Sequence, residues 1–263
     1  MITETPHPSP AERQALQSRV VQALSAVVPA HALLWHAEDT TPYECDGLTA
    51  YRQRPLVVCL PETYDEVQAV LRTCHQLQVP VVARGAGTGL SGGAMPHAMG
   101  VTLSLAKFNR ILEVNPESRT AVVQCGVRNL AISDAAAPYG LYYAPDPSSQ
   151  IACTIGGNVA ENSGGVHCLK YGLTVHNVLK VKGFTVEGEP VEFGSEALDT
   201  PGYDLLAAVI GSEGMLAVTT EVTVKLVPKP QLARCIMASF DDVRKAGDAV
   251  ADVIAAGIIP AGL

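Results

Sequence analysis

The glycine-rich stretch Gly85–Gly93 is the first place where residue types and spacing indicate chemistry. Five of its nine residues are glycine, and Thr88 and Ser91 add small hydroxyl groups. Glycine takes backbone conformations that other residues avoid and lets a bound group approach the main chain closely. Backbone N–H groups that converge in this way bind anions, phosphate above all. The stretch, which we call the glycine loop, is therefore predicted to bind a phosphate.

Two common phosphate-binding motifs describe the glycine loop poorly. A P-loop ends in Gly-Lys-Ser/Thr, and the glycine loop contains no lysine. The dinucleotide fingerprint G-x-G-x-x-G is present at Gly87, Gly89 and Gly92, and Glu113 lies roughly twenty residues further on, where a ribose-binding acid is expected. That fingerprint, however, opens a helix whose N-terminus faces the pyrophosphate. Here the next ordered segment, 101–105, has the character of a strand.

Two later stretches have a similar composition. Residues 145–165 are rich in Gly, Ser, Thr and Asn, and Gly211–Gly214 places glycines at a turn before an alternating strand. Long ordered loops in compact domains are usually functional. Small uncharged side chains and amides suit a planar ligand that lies close to the backbone and forms hydrogen bonds. We therefore expect the three stretches to form one ligand site.

Regular elements are predicted to position these stretches. Apolar spacing predicts helices over 11–28, 62–77, 127–137, 201–210 and 242–256. Strands are predicted over 55–61, 79–83, 101–105, 111–114, 120–125, 177–186, 191–193, the run that ends at 226, and 235–240. Strand 55–61, helix 62–77 and strand 79–83 make one β-α-β unit that leads into the glycine loop. Residues 35–50 have no clear period and are predicted to be a covering loop.

Composition and charge restrict the class of protein. Apolar residues make up 48% and charged residues 17% of the 263 residues, which argues against disorder. The net charge of −8 comes with no basic stripe, so we expect no nucleic-acid partner. The first ten residues lack the apolar core of a signal peptide. The apolar run 249–263 is interrupted and too short to span a bilayer, so no transmembrane segment is expected.

The seven cysteines are dispersed along the chain. None forms a C-x-x-C pair, so neither an iron–sulfur cluster nor a structural zinc site is predicted, and no metal ligands are assigned. An odd, scattered set of this kind is typical of reduced thiols in a cytoplasmic protein.

Together, Arg84 with the glycine loop, residues 145–165 and Gly211–Gly214 resemble one family of flavoproteins. They are similar to the FAD-binding (PCMH-type) domains of the vanillyl-alcohol oxidase and p-cresol methylhydroxylase type. The resemblance extends over about residues 52–230 and is nearest to the branch of D-lactate dehydrogenases and glycolate oxidase subunits. It implies an α+β fold with FAD between two subdomains. The implied domains are an N-terminal helix and covering loop (1–50), an FAD-binding domain (51–230) and the beginning of a truncated C-terminal α+β substrate domain (231–263).

The resemblance also implies cofactor contacts. Backbone N–H groups of the glycine loop would hold the pyrophosphate, in the segment formed by Arg84, Gly85, Ala86, Gly87, Thr88, Gly89, Ser91, Gly92 and Gly93. The flavin and ribityl region would be lined by Pro145, Ser148, Ser149, Thr154, Gly157, Ala160, Asn162 and Gly165. The adenine and ribose side would be closed by Glu213, Gly214, Val218 and Thr219. Members that bind FAD covalently carry a histidine in the first loop. The glycine loop has none, so the resemblance implies non-covalent FAD.

The implied activity is FAD-dependent oxidation of a small 2-hydroxy acid, glycolate or D-lactate, to the 2-oxo acid by hydride transfer to flavin. In the family the catalytic base and metal ligands lie in a C-terminal half that this chain only begins, so no catalytic residue is assigned. Near the loops, only His167, His176, Lys170 and Lys182 are candidates for substrate contact, and the simpler expectation is that each is a satisfied polar residue. The implied partners are companion oxidase subunits, including an iron–sulfur subunit that leads to the membrane quinone pool. Through them the protein would be peripheral at the inner face of the membrane.

Two alternatives remain open from the sequence. One is another flavoenzyme of the same fold, such as the NADPH-dependent flavin reductase of peptidoglycan precursor synthesis, although its own substrate motifs are not visible. The other is a non-catalytic nucleotide-binding module or scaffold that has lost its flavin, and the intact glycines argue against it. We also expect exposed apolar surface over 235–263, which predicts association of the isolated chain.

Overall fold

The chain alternates between helices and short strands, and the computed structural model describes residues 9–197 and 202–263. The helices are α1 (Pro10–Leu24), α2 (Ala37–Thr40), α3 (Tyr64–Leu77), α4 (Asn129–Ala136), α5 (Ile155–Glu161), α6 (Cys168–Tyr171), α7 (Leu205–Val209) and α8 (Val243–Ala255). The strands are β1 (Leu33–Leu34), β2 (Val57–Cys59), β3 (Val81–Arg84), β4 (Val101–Ser104), β5 (Ile111–Asn115), β6 (Thr120–Gln124), β7 (Leu141–Tyr142), β8 (Val178–Phe184), β9 (Pro190–Gly194), β10 (Val218–Lys225) and β11 (Val227–Pro228). Position 201, where one predicted helix begins, lies outside the described residues.

The first sheet carries the glycine loop. Its strand order is β1-β2-β4-β3, and both β2 and β3 run parallel to β4. The predicted β-α-β unit is therefore present, with β4 inserted between its two strands. Because β3 and β4 are parallel, with Arg84 opposite Ser104, their carboxyl ends lie at the same edge of the sheet. The glycine loop leaves the sheet at this edge.

Helix α3 packs against the first sheet for reasons that are local in sequence. Thr63 and Glu66 form a capping box at its N-terminus, so backbone N–H groups there have side-chain partners. The buried residues of the helix recur on one face and are Val67, Val70, Leu71 and Cys74. They join one apolar core with the first sheet and with α1.

The second sheet is antiparallel, with strand order β5-β6-β10-β8-β9. The strands predicted over 111–114 and 120–125 are confirmed, and they form a hairpin in which β5 and β6 pair with Asn115 opposite Thr120. Residues of α4 and α5 share a second apolar core with this sheet. Two packed units of mixed helix and sheet confirm the predicted α+β class.

Three local predictions differ from the structure. Residues 155–161, expected to be part of a long loop, form helix α5, and the covering loop contains the short helix α2. The strand predicted over 235–240 is wrong, because that segment has no regular structure. Its side chains Ile236 and Met237 are 91% and 95% exposed. A strand needs a neighbour for its backbone hydrogen bonds, and within the described residues none pairs with this segment.

Helix α8 confirms the helix predicted over 242–256, and it is apolar on one side but has no buried residue. Exposed apolar side chains over 235–263, including Val243 and Ile259, confirm the apolar surface expected there. Among the helices of the described ranges, none has both the length and the apolar character needed to cross a membrane.

Candidate functional site

A cavity of about 230 Å³ lies where the three glycine-containing stretches meet. Its walls come from the end of β3 and the glycine loop, from α5 with the residues before it, and from the turn that precedes β10. The predicted site residues that line it are Arg84, Gly85, Ala86, Gly87, Thr88, Gly89, Gly93, Ser149, Thr154, Gly157, Ala160, Glu213, Gly214 and Thr219. The fold thus brings together stretches that are more than a hundred residues apart in sequence.

The other predicted residues lie around the cavity without lining it, and they are Ser91, Gly92, Pro145, Ser148, Asn162, Gly165 and Val218. Several of them have structural partners. The Ser91 hydroxyl donates to the Glu161 carboxylate at 2.9 Å. The Gly92 N–H donates to Asp46 Oδ2 at 3.0 Å, so in this structure that N–H is not free for a phosphate.

Close contacts of α5 with its neighbours explain two of the glycines. A Cβ atom at Gly85, in the glycine loop, would lie 2.5 Å from Thr154 Oγ1, just before α5. A Cβ atom at Gly156, in α5, would lie 2.8 Å from the Cβ of Cys125 at the end of β6. At these positions only glycine lets the glycine loop and the end of β6 approach α5 so closely.

The turn before β10 is held against the C-terminal end of α5. Gly211 N–H donates to Val159 O and Glu213 N–H donates to Ala160 O, both at 2.8 Å. The last carbonyl groups of a helix have no partner within the helix. Here the turn supplies their donors, and this places the third predicted stretch at the cavity.

A buried amide network supports the cavity wall. Asn129 Nδ2 donates to Pro145 O at 3.1 Å and to Asn158 Oδ1 at 3.0 Å. Asn158 Nδ2 in turn donates to Ser163 Oγ at 3.3 Å and lies 3.4 Å from Cys153 Sγ. Both asparagine side chains are buried, so their amides need these partners. The network ties α4, α5 and the two loops that flank α5.

Several lining residues were not identified from the sequence, and they are Ala83, Ala94, Leu105, Cys125, Cys153, Gly156, Asn158, Val159, Glu161, Ser163, Val209, Ser212 and Ala217. The signal for some of them was the helical period of α5. Thr154, Gly157, Ala160 and Glu161 are spaced as one face of a helix, so an α5 prediction would have placed Glu161 beside the other three.

The cavity lining contains one cation and two carboxylates within the part of the chain that the structure describes: Arg84, Glu161 and Glu213. Burial is the main influence on Arg84 and lowers the pKa of its guanidinium, which an arginine tolerates without losing its charge. A Cβ atom at Gly93 would lie 2.8 Å from Glu161 Oε1 and 3.5 Å from Glu213 Oε2. Carboxylates at this position accept hydrogen bonds, which suits the hydroxyl groups of a polyol or a ribose.

Cys125 also lines the cavity, at its buried end. Burial raises the pKa of its thiol to about 12, so the group is neutral near pH 7. It is a small buried part of the cavity wall.

The candidates for substrate contact do not line the cavity. His167 Nδ1 lies 2.5 Å from Asp146 Oδ2, and the ring nitrogen Nδ1 of His176 accepts the Leu173 N–H at 3.0 Å. Lys182 pairs with Glu221 at 2.8 Å, and Lys170 lies over the ring of Tyr171. Each therefore has a structural partner, which is the simpler of the two expectations.

Two features of the cavity fit a phosphate-containing, hydrogen-bonding ligand. In residues 9–197 and 202–263, the N–H groups of Gly87, Thr88 and Gly89, which line the cavity, make no hydrogen bond. The Thr154 hydroxyl oxygen, Oγ1, is fully buried and also has no partner there. Buried polar groups are normally paired, so the unpaired hydroxyl is available to a ligand, and the unbonded N–H groups of the loop can donate to an anion. Both fit FAD.

Comparison with known proteins agrees with this geometry. A family model described as an FAD binding domain matches residues 55–194. The Escherichia coli K12 glycolate oxidase subunit GlcD is 64% identical over 94% of this chain and 50% of its own length. GlcD of Bacillus subtilis is 42% identical over 84% of this chain and 47% of its own length. D-lactate dehydrogenase of Archaeoglobus fulgidus is 37% identical over 75% of this chain and 44% of its own length.

Solved structures show the same fold. An alkyldihydroxyacetonephosphate synthase matches with a TM-score of 0.79 at 20% identity over 100% of this chain and 48% of its own. The grass pollen allergen Phl p 4, a glucose dehydrogenase, matches with a TM-score of 0.69 at 20% identity. The match covers 80% of this chain and 44% of the allergen. The chain thus belongs to the family of FAD-binding domains, and the predicted cofactor class is confirmed. It spans about half the length of the curated relatives it matches.

Proposed function

We propose that this chain is the FAD-binding part of an oxidoreductase that oxidises a small 2-hydroxy acid, glycolate or D-lactate, to the 2-oxo acid. The observation that supports this most is the 64% identity to GlcD over 94% of the chain, which includes all three stretches around the cavity. When bound, FAD supplies the acceptor for the hydride of the hydroxy acid. The chain supplies the site that holds and orients it.

Specific roles follow from the contacts in the cavity. The free N–H groups of Gly87, Thr88 and Gly89 would donate to the pyrophosphate, and the unpaired Thr154 hydroxyl would bond to a polar atom of the cofactor. Glu161 and Glu213 would accept hydrogen bonds from sugar hydroxyls. The glycine loop has no histidine, so we propose that the cofactor is held non-covalently.

The division of the chain into 1–50, 51–230 and 231–263 is part of the proposal. The long segment after β11 lacks regular structure until α8, and its apolar side chains are exposed. Such a surface suits burial against another domain. We propose that residues 231–263 begin the substrate domain and supply none of the cofactor contacts.

Partners and location are proposed on the same basis. The related GlcD proteins are named as subunits of a glycolate oxidase. We propose that this chain likewise acts with companion subunits, one of which carries iron–sulfur clusters and takes electrons from FAD. The protein would be cytoplasmic and would reach the inner face of the membrane through these partners.

An absorbance spectrum before and after acid precipitation tests the cofactor proposal. The purified chain is expected to show flavin bands, either as isolated or after FAD is added and the excess removed. After acid precipitation the bands should move into the supernatant, because non-covalent contacts are lost on unfolding. Bands that stay with the pellet would contradict non-covalent binding. No bands at all after FAD addition would contradict the assignment of the cavity.

Anaerobic titration extends that experiment to the substrate. The cavity lining contains no histidine, lysine or tyrosine among the described residues, so a base for the substrate hydroxyl is not evident in it. We expect glycolate and D-lactate to leave the flavin of this chain oxidised. In a fusion of residues 1–230 to the C-terminal half of E. coli GlcD, glycolate or D-lactate should reduce the flavin and bleach its absorbance. A fusion that binds FAD but is bleached by neither acid would contradict the proposed substrate class.

Thr154→Val separates a contact with the cofactor from a contribution to folding. Its hydroxyl oxygen is buried without a partner, so replacing it with a methyl group should leave the apoprotein equally stable or up to about 1 kcal/mol more stable. The same change should weaken FAD binding about tenfold, because a hydrogen bond to the cofactor is lost. Denaturant unfolding of the apoprotein and fluorescence titration with FAD measure the two effects.

Thr223→Val is the matched control. Thr223 Oγ1 is also buried and unpaired, but it lies in β10 and does not line the cavity. The variant should show the same small change in stability with no change in FAD affinity. Equal FAD affinities for the two variants would show that Thr154 does not bind the cofactor.

A further inference from the structure

Residues 43–48, which we call the clamp segment, lie directly against the glycine loop from outside the FAD-binding family match. The segment belongs to the predicted covering loop, and nothing in its composition marks it as functional. A Cβ atom at Gly47 would lie 2.8 Å from Gly89 O and 2.9 Å from Thr88 O. The clamp segment and the glycine loop are therefore in backbone contact.

Arg84 joins the clamp segment to both ends of the glycine loop. Its Nη1 donates to Cys45 O at 2.9 Å and to Ala94 O at 3.3 Å. Its guanidinium lies 5.7 Å from the centre of the Tyr43 ring. A side chain at Gly87, where φ is +69°, would collide with this guanidinium. The guanidinium therefore occupies the space next to Gly87, and its Nη1 donates to two backbone carbonyl groups.

Asp46, also in the clamp segment, accepts a hydrogen bond from the glycine loop. Its Oδ1 accepts the N–H of Leu48 at 2.8 Å, and its Oδ2 accepts the N–H of Gly92 at 3.0 Å. The residue is only 5% exposed. Burying a carboxylate costs free energy unless hydrogen bonds compensate for the lost water. The two bonds to Asp46 supply this compensation.

The effect on the loop follows from which groups these two residues use. Arg84 fixes the loop at its start and at Ala94, and Asp46 fixes it at Gly92. The N–H groups of Gly87–Ser91, between these fixed points, have no intrachain partner in the described ranges. A flexible glycine-rich segment would otherwise lose conformational entropy when it closes on a ligand. A loop already held open binds with less of this cost.

We propose that Arg84 and Asp46 are positioning residues for FAD, which act through the clamp segment to hold the glycine loop in its anion-binding shape. Neither side chain needs to contact the cofactor. The inference rests on the assignment of the glycine loop to the pyrophosphate under the proposed function. It changes the role of Arg84 from a direct ligand to a support, and it adds Asp46, which lies outside the family match.

The test uses Asp46→Ala, Asp46→Asn and Arg84→Met in the full chain. Fluorescence titration is expected to show FAD bound about ten- to a hundredfold more weakly by the alanine and methionine variants, the effect of losing one or two charge-assisted hydrogen bonds. Asp46→Asn keeps one acceptor oxygen and should recover part of the affinity. Because the two residues act on one loop, their effects should not add. The double variant Asp46→Ala/Arg84→Met should therefore bind FAD only slightly more weakly than whichever single variant binds it more weakly.

Amide hydrogen exchange of the apoprotein supplies a readout that does not depend on FAD. In the unmodified chain the Gly92 N–H is expected to be protected, since it is bonded to buried Asp46. In Asp46→Ala and Arg84→Met, exchange should accelerate over residues 85–94 while α3 and the second sheet keep their protection. General acceleration over the whole chain would show that the variants only lower global stability, and would overturn the inference.

Two further variants separate failure of this inference from failure of the proposed site. Gly89→Val places a side chain in the cavity, where a Cβ atom meets only Glu161 at 3.6 Å, and should abolish FAD binding if the loop holds the pyrophosphate. Arg72→Met removes the arginine of a surface ion pair with Glu189 and should leave FAD binding unchanged. If Gly89→Val loses FAD while the clamp variants bind within about twofold of the unmodified chain, the clamp inference is wrong. If Gly89→Val binds normally, the site assignment itself is wrong.

Discussion

Gly85→Val is expected to eliminate FAD binding while leaving the chain folded. A Cβ atom at this position would lie 2.5 Å from Thr154 Oγ1 and 3.7 Å from the backbone nitrogen of Gly157. Valine adds two further methyl groups where the start of the glycine loop approaches Thr154 and α5. The walls of the cavity must then separate, or the side chain must occupy the ligand space. We expect affinity to fall on the order of a hundredfold or more.

Absorbance after FAD addition and gel filtration measures this loss, and circular dichroism measures folding. Gly247→Ala is the control, because this glycine is in exposed helix α8 and a Cβ atom there meets no atom within 4 Å. That variant should bind FAD normally. If Gly85→Val retained flavin bands of normal intensity, the contact between the glycine loop and α5 could not form part of the cofactor site.

Asn158→Leu is expected to destabilise the apoprotein by about 2–4 kcal/mol, because it removes the centre of a buried amide network. The substitution eliminates the acceptor for Asn129 Nδ2 and the donor to Ser163 Oγ. Leucine is close to asparagine in size, so the cost comes from unpaired polar groups more than from a cavity. Because Asn158 also lines the FAD cavity, cofactor affinity should fall with stability.

Urea unfolding of the apoprotein, followed by circular dichroism, measures the change in stability. Asn109→Leu is the matched control, since Asn109 is exposed and makes no hydrogen bond in the described part of the chain. Its effect should remain within about 0.5 kcal/mol. Similar unfolding midpoints for the two variants would show that the network does not stabilise the fold.

The elements that could be predicted from the sequence are those whose signals are local. Helix α3 has its apolar face within a few turns of chain, so its apolar spacing predicts it with nearly correct ends, and the structure adds a capping box at its start. The β5–β6 hairpin has its turn residues, Asn115 to Ser118, between two β-branched runs. Neighbouring residues specify these structures, and the structure confirms them.

The elements that were missed depend on distant residues. Helix α5 contains Gly156 and Gly157, which disfavour helix formation, and it is stabilised by packing on the second sheet and by the turn at 211–214. The strand predicted over 235–240 had the composition of a strand but has no neighbour to pair with in the described residues. Tertiary contacts thus formed a helix against local preference at α5, and the lack of a strand partner prevented one over 235–240.

The sequence by itself determined the class of ligand that this chain binds. The glycine density of the glycine loop indicates a phosphate-containing ligand, and the predicted resemblance to FAD-binding domains is confirmed by the family match over residues 55–194, which includes the first two stretches. Only the tertiary structure decided which groups remain available to that ligand. Asp46 takes the N–H of Gly92, and Arg84 turns to the backbone of Cys45 and Ala94. The reason is physical: the bonds to Cys45 and from Gly92 join residues 39 and 46 positions apart, so they depend on the folded path of the chain, which no local pattern encodes.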